Sequence, residues 1–99
     1  MIARAFLAMI TTSILTANAV AQSADPPAGA AACSGCHASS KSVDTPAPRL
    51  IGRSAADIAA AMQAFRTGAR PATIMDRIAK GFSDDEIKAI AAWYGAQKD

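Results

Sequence analysis

Residues 33–37 read Cys-Ser-Gly-Cys-His, and they hold both cysteines and the only histidine of this 99-residue chain. Any chemistry that needs a thiol or an imidazole must happen in these five positions. Three readings compete. A zinc centre takes about four donors, commonly Cys and His, and here three such residues are crowded together with no second pair elsewhere. A redox dithiol calls for a reactive cysteine in a strand–helix–strand setting, and no segment of this sequence alternates as a strand does. The third reading is covalent haem attachment. Two thiols three positions apart form thioethers to the two vinyl groups, and the adjacent imidazole reaches the iron from one face. That reading uses every Cys and His in the chain, and the residues favour it.

The N-terminus sets the compartment. Arg4 precedes an apolar run from Ala5 to Leu15, and small residues then lead to Ala19-Val20-Ala21, the A-x-A pattern cut by signal peptidase. Residues 1–21 are therefore expected to be a cleaved secretory signal peptide and residues 22–99 a single-haem domain; Ala17-Asn18-Ala19 offers a second cut. The apolar run is shorter than the roughly 20 residues that span a bilayer, so no membrane insertion is expected after cleavage. Export places the chain in the periplasm, where paired cysteines persist oxidised.

Loss of Arg4 lowers the formal charge from +2 to +1. No basic run survives that would neutralise many phosphates, which excludes nucleic acid as a partner. A mature chain of 78 residues is one domain with a marginal side-chain core. Much of its apolar content is alanine, which buries little area. A Cys33–Cys36 disulfide would close only a tiny loop and constrain the unfolded chain least. A large prosthetic group is the better stabiliser.

The pattern along the chain is helical throughout. Ser23 to Ala32 starts with a proline pair and continues in helix-formers, predicting a short helix that leads into the Cys-x-x-Cys-His run. Residues 38–52 are rich in Ser, Pro and Gly and read as a loop. Ser54-Ala55-Ala56-Asp57 resembles a capping box, and Ile58, Met62 and Phe65 recur at helical spacing until Gly68. Pro71 sits where another helix can begin, with Ala72 to Lys80 continuing it and Gly81 ending it. Ser83-Asp84-Asp85-Glu86 is a capping box, and Ile87, Ile90, Ala91 and Tyr94 form the inward stripe of a last helix, bordered by Trp93. The expected class is all-α, with three to five short helices.

With His37 on one side of the iron, the sixth position needs a donor, and in the absence of a second histidine a methionine thioether suits it. Met1 and Met9 leave with the signal. Met62 shares the face of Ile58 and Phe65, so it reads as a core side chain. Met75 lies 38 residues after His37, on the short segment between the two longer helices, and is the expected axial ligand. His/Met ligation raises the reduction potential and leaves no open coordination site, so the expected chemistry is outer-sphere electron transfer. A ligating histidine donates its other ring N–H to a carboxylate or carbonyl; Pro48, in a stiff proline-rich loop, is a candidate acceptor, and a merely rigid loop is an equal reading. Arg49, Arg53 and Arg70 are candidates for pairing with haem propionates, although each also fits an ordinary solvated charge.

Taken together, Cys33-Ser34-Gly35-Cys36-His37, the Pro48-Arg49-Leu50-Ile51-Gly52 stretch in P-x-L-x-G form, and Met75 to Tyr94 resemble the small class I c-type cytochromes over nearly all of the mature chain. That resemblance implies that Cys33 and Cys36 bind haem c covalently, that His37 and Met75 are the axial ligands, and that the Pro48 carbonyl accepts from His37. It also implies that the last helix crosses the first, with Trp93 or Tyr94 packing near Gly29. Residues 65–87 are similar, more narrowly, to the haem module of the cytochrome subunit of flavocytochrome c sulfide dehydrogenase. In that family a separate FAD-bearing flavoprotein oxidises sulfide and passes electrons to the cytochrome. Many such subunits carry two haem modules, whereas this sequence has one. A freely diffusing shuttle between other redox enzymes is the alternative, and a haem-free dithiol oxidoreductase using Cys33 and Cys36 is a third.

Overall fold

The computed structural model describes residues 25–98, which contain four α-helices and no strand. They are α1 (Ala30–Cys33), α2 (Ala55–Thr67), α3 (Met75–Ala79) and α4 (Asp84–Ala96). Each of the two long helices begins where its cap dictates. The Ser54 hydroxyl accepts from the Asp57 N–H at 3.1 Å, supplying one of the acceptors that a helix start lacks. At Ser83 the box is reciprocal: its hydroxyl accepts from the Glu86 N–H at 3.2 Å, and its own N–H donates to the Glu86 carboxylate at 2.8 Å. Helix α2 ends at Gly68, whose φ of +81° is a left-handed stop that costs an L side chain strain.

The two short helices differ from expectation. The N-terminal helix covers only Ala30–Cys33 rather than Ser23–Ala32, of which Ser23 and Ala24 lie outside the described residues. Pro27 disfavours helical torsions at Pro26, and Gly29, at φ +85°, caps the helix in the left-handed region. Helix α3 starts at Met75 rather than Pro71. Thr73 and Ile74 are β-branched and lose rotamer freedom in a helix, and the first helical acceptor is the Ile74 carbonyl, which takes the Ile78 N–H at 3.2 Å. The expected signal segment, residues 1–21, lies outside the described residues.

Helix α2 packs against both α3 and α4. The predicted stripe of α4, Ile87, Ile90, Ala91 and Tyr94, is buried throughout, each isoleucine contributing about 1.5–3 kcal/mol of burial. Two hydrophobic clusters result. One joins Ala30, Ile58, Ile90, Ala91 and Tyr94, with Cys33, Leu50 and Trp93 on its margin. The other joins Met62, Ala79 and Ile87, with Phe65 and Met75 on its margin. Ala59 and Phe82 touch both. Among the described residues no helix is long and apolar enough to cross a membrane.

Candidate functional site

The Cys-Ser-Gly-Cys-His run is wound as one tight turn off the end of α1. The Cys33 carbonyl accepts from the Cys36 N–H at 3.2 Å and from the His37 N–H at 2.9 Å, and the Gly35 N–H reaches the Ala32 carbonyl at 3.2 Å. Both thiols are unbonded, Cys36 exposed and Cys33 half-buried. The Cys33 thiol donates to the Gly29 carbonyl at 3.6 Å, and burial pushes its pKa up. A nucleophilic dithiol requires the opposite shift. Among the described residues no three His, Cys, Asp or Glu side chains converge, so the imidazole lacks the company a zinc centre requires.

His37 is oriented by the loop that follows it. Its Nδ1–H donates to the Pro48 carbonyl at 2.5 Å, which fixes the tautomer and leaves Nε2 with its lone pair for a metal. The loop holds that carbonyl in place through its own bonds. The Arg49 guanidinium donates to the Ser39 carbonyl at 3.1 Å, Arg53 Nε donates to the Arg49 carbonyl at 2.9 Å, and the Thr45 hydroxyl donates to the Ala47 carbonyl at 2.9 Å. Two of the three arginines considered for propionates thus bond backbone carbonyls around Pro48. The third, Arg70, lies over the Phe65 ring, 4.8 Å from its centroid.

The structure separates the two methionines. Met62 is 8% exposed and belongs to the core. Met75 is half-buried at the first position of α3, on the margin of the same cluster. The cysteines and His37 cluster with Pro48; Met75 comes from the second cluster, on a separate element.

The scaffold beneath the turn is clamped from the far end of the chain. The Tyr94 hydroxyl donates to the Ala30 carbonyl at 2.5 Å, across 64 residues, and burial pushes its pKa up, helped by the neighbouring Cys33 thiol. A Cβ on Gly29 would lie 2.5 Å from Phe82 Cε1 and 3.5 Å from Ile90 Cδ1. The aromatic ring against Gly29 is therefore that of Phe82, while Tyr94 reaches the next residue; the expectation of Trp93 or Tyr94 near Gly29 identified the right junction and missed Phe82. Nothing local in the sequence marks Phe82, since it sits in a short link between two helices. Arg66 was likewise unmarked. It donates to the Phe82 carbonyl at 3.0 Å and pairs with Asp84, which also accepts from Gln63 at 2.9 Å. These hydrogen bonds, then the Arg66 charge, hold the Asp84 carboxyl below its usual range.

The polypeptide interior is thin. Among the described residues Ile87 is the largest side chain that is fully buried, and Ile74 and Ile78 stay 57% and 38% exposed. Two free thiols one turn apart, an imidazole with Nε2 left to bind, a thioether on a separate element and a short supply of core volume all fit a haem as the completing group.

Comparison with known proteins agrees. A family model described as cytochrome C oxidase, cbb3-type, subunit III matches residues 28–93. The cytochrome subunit of sulfide dehydrogenase from Chlorobaculum tepidum is 36% identical over 63 residues, 64% of this chain and 57% of that protein. The chain thus spans little more than half the length of that relative. Cytochrome c-554(548) from Halomonas halodenitrificans is 36% identical over 70 residues, 67% of this chain and 84% of that protein. With that family model covering most of its length and the helical fold built around the Cys33–His37 turn, the chain belongs to the c-type cytochromes, as a class I member that carries haem c covalently.

Proposed function

We propose that this protein is a periplasmic electron-transfer cytochrome that serves as the haem subunit of a sulfide-oxidising flavoprotein, exported by a signal peptide at residues 1–21. The observation that supports the electron-transfer reading is the His37 Nδ1–Pro48 carbonyl bond, which leaves the other ring nitrogen its lone pair for a metal. Cys33 and Cys36 would hold the haem through thioethers, and His37 and Met75 would supply the donors to its iron. The haem, when bound, supplies a one-electron couple. The chain's residues do the rest: Pro48 keeps the imidazole in one tautomer, and Met75 would supply the second donor, leaving no open site for a substrate. The soft thioether also favours the reduced state and raises the potential.

The sulfide assignment rests on similarity to a cytochrome subunit of sulfide dehydrogenase, and its partner is a separate chain bearing FAD. A freely diffusing shuttle is the second reading, supported by the better-covered relative, cytochrome c-554(548), whose name carries no partner. Purification from the native periplasm separates them: an FAD-bearing chain that co-purifies supports the subunit, and a cytochrome that arrives alone supports the shuttle.

The ligand assignment has its own test. Potentiometric titration of Met75→Leu is expected to show a fall by a sizeable part of the roughly 0.8 V that axial ligands command, while Met62→Leu shifts the potential little and costs less than about 1.5 kcal/mol of stability. Equal shifts at the two positions would reverse the assignment.

A further inference from the structure

We propose that Arg49 is a positioning residue for the candidate iron ligand His37, acting on the imidazole through the Pro48 carbonyl rather than on a haem propionate. This deepens the ligand assignment above and rests on it. His37 and Ser39 lie on one side of the loop, Pro48 and Arg49 on the other, and two hydrogen bonds cross between them in opposite senses. The His37 ring donates to the Pro48 carbonyl, and the Arg49 guanidinium donates back to the Ser39 carbonyl at 3.1 Å. Ala38, between these two rungs, is buried.

The freedom of the backbone explains why the second rung governs the first. The proline ring fixes φ of Pro48, so the torsion that can swing its carbonyl away from the imidazole is ψ. Rotation about that bond carries Arg49 with it. Arg49 is tied twice against such a movement, by its side chain to Ser39 and by its own carbonyl to Arg53 Nε at 2.9 Å. Arg53 in turn donates its N–H to the Leu50 carbonyl at 3.2 Å and directly precedes Ser54, the cap of α2. The direction of the Pro48 carbonyl is thereby referred to the start of a long helix. Arg53 acts one peptide further from Pro48 and is exposed, so its share is the smaller.

The two roles open to Arg49 have opposite signs. The Nδ1–H bond makes the imidazole a more basic donor, which favours ferric iron, so loosening the bond raises the reduction potential. A guanidinium that acts only by its permanent charge beside a haem disfavours ferric iron, and removing it lowers the potential. The direction of the shift therefore separates a clamp on the ligand from a charge or a propionate partner.

The test uses the ¹⁵N-labelled, haem-loaded protein in its diamagnetic ferrous state, with hydrogen exchange read by NMR and the potential by titration. In Arg49→Met the His37 Nδ1–H should exchange about tenfold faster, as one lost hydrogen bond predicts, and the potential should rise. The amides of Ile90 and Ala91, in the buried stripe of α4, should exchange as in the parent. Arg49→Lys keeps a donor for the Ser39 carbonyl and should return the Nδ1–H exchange toward the parental rate, while Arg53→Ala should give a smaller acceleration in the same direction as Arg49→Met. A fall in potential in Arg49→Met, or unchanged Nδ1–H exchange, would overturn the proposal. So would equal acceleration at Ile90 and Ala91, which would mark a general loss of stability. If Arg49→Met fails to take up haem, Arg53→Ala decides, and parental Nδ1–H exchange there overturns the clamp. The haem ring current in the parent tells the two readings apart: a displaced His37 ring with no response to Arg49 keeps the ligand and removes the clamp, and an undisplaced ring removes both.

Discussion

The two hydrophobic clusters are built by different means. The first, around Ala30, Ile90 and Tyr94, is closed by a side chain from the last helix reaching a carbonyl near the start of the fold. The second, around Met62, Ala79 and Ile87, has only three buried members and is held at its edge by an exposed polar group of Gln63, Arg66 and Asp84. Cys33 borders the first and Met75 the second. The Cys33–His37 turn thus sits on a frame locked by a long-range hydrogen bond, and Met75 sits beside the smaller cluster.

Substitutions at each cluster break or sharpen that contrast. The largest loss is expected from Gly29→Ala. It forces an L side chain to φ +85° and places a Cβ 2.5 Å from the Phe82 ring, for a combined cost of about 2–4 kcal/mol by chemical denaturation. Tyr94→Phe removes the donor to Ala30 and should cost about 1–2 kcal/mol. Its signature is faster hydrogen exchange at Cys36 and His37 with exchange at Ile78 unchanged; equal acceleration at both places would show that the clusters behave as one. At the second cluster, Ser83→Ala removes the cap of α4 and should cost about 1 kcal/mol.

The smallest effect belongs to Asp84. Its carboxyl is held low when folded, so the stabilisation is complete above the unfolded carboxylate pKa of about 4 and disappears as the pH falls through the lower folded value. Denaturation midpoints of Asp84→Asn should therefore lie below those of the parent at neutral pH and converge with them in acid. A constant gap across that range would mean that the Asp84 charge does not hold the second cluster.

The features visible in the sequence were those with a local cause. The caps at Ser54 and Ser83, the stop at Gly68 and the buried stripe of α4 each depend on residues within one or two turns, and the structure has all of them. The Cys-x-x-Cys-His spacing was legible for the same reason, and the helical class with it. The first and third helices are shorter than their composition predicts, because Gly29 takes a left-handed torsion and Thr73 and Ile74 are β-branched. Phe82 against Gly29, and Arg66 bridging Phe82 and Asp84, span 16 residues or more. Such contacts belong to the packed molecule, and no local spacing announces them.

The Tyr94–Ala30 hydrogen bond also sets an order of events. The clasp joins the first residue of α1 to one near the end of α4, 64 positions along the chain. Until it forms, the Cys33–His37 turn is not enclosed by the loop that the clasp completes, and closing so long a loop is slow. Both thiols are accordingly open to modification before α4 docks, and the junction beneath them locks only when Tyr94 reaches Ala30.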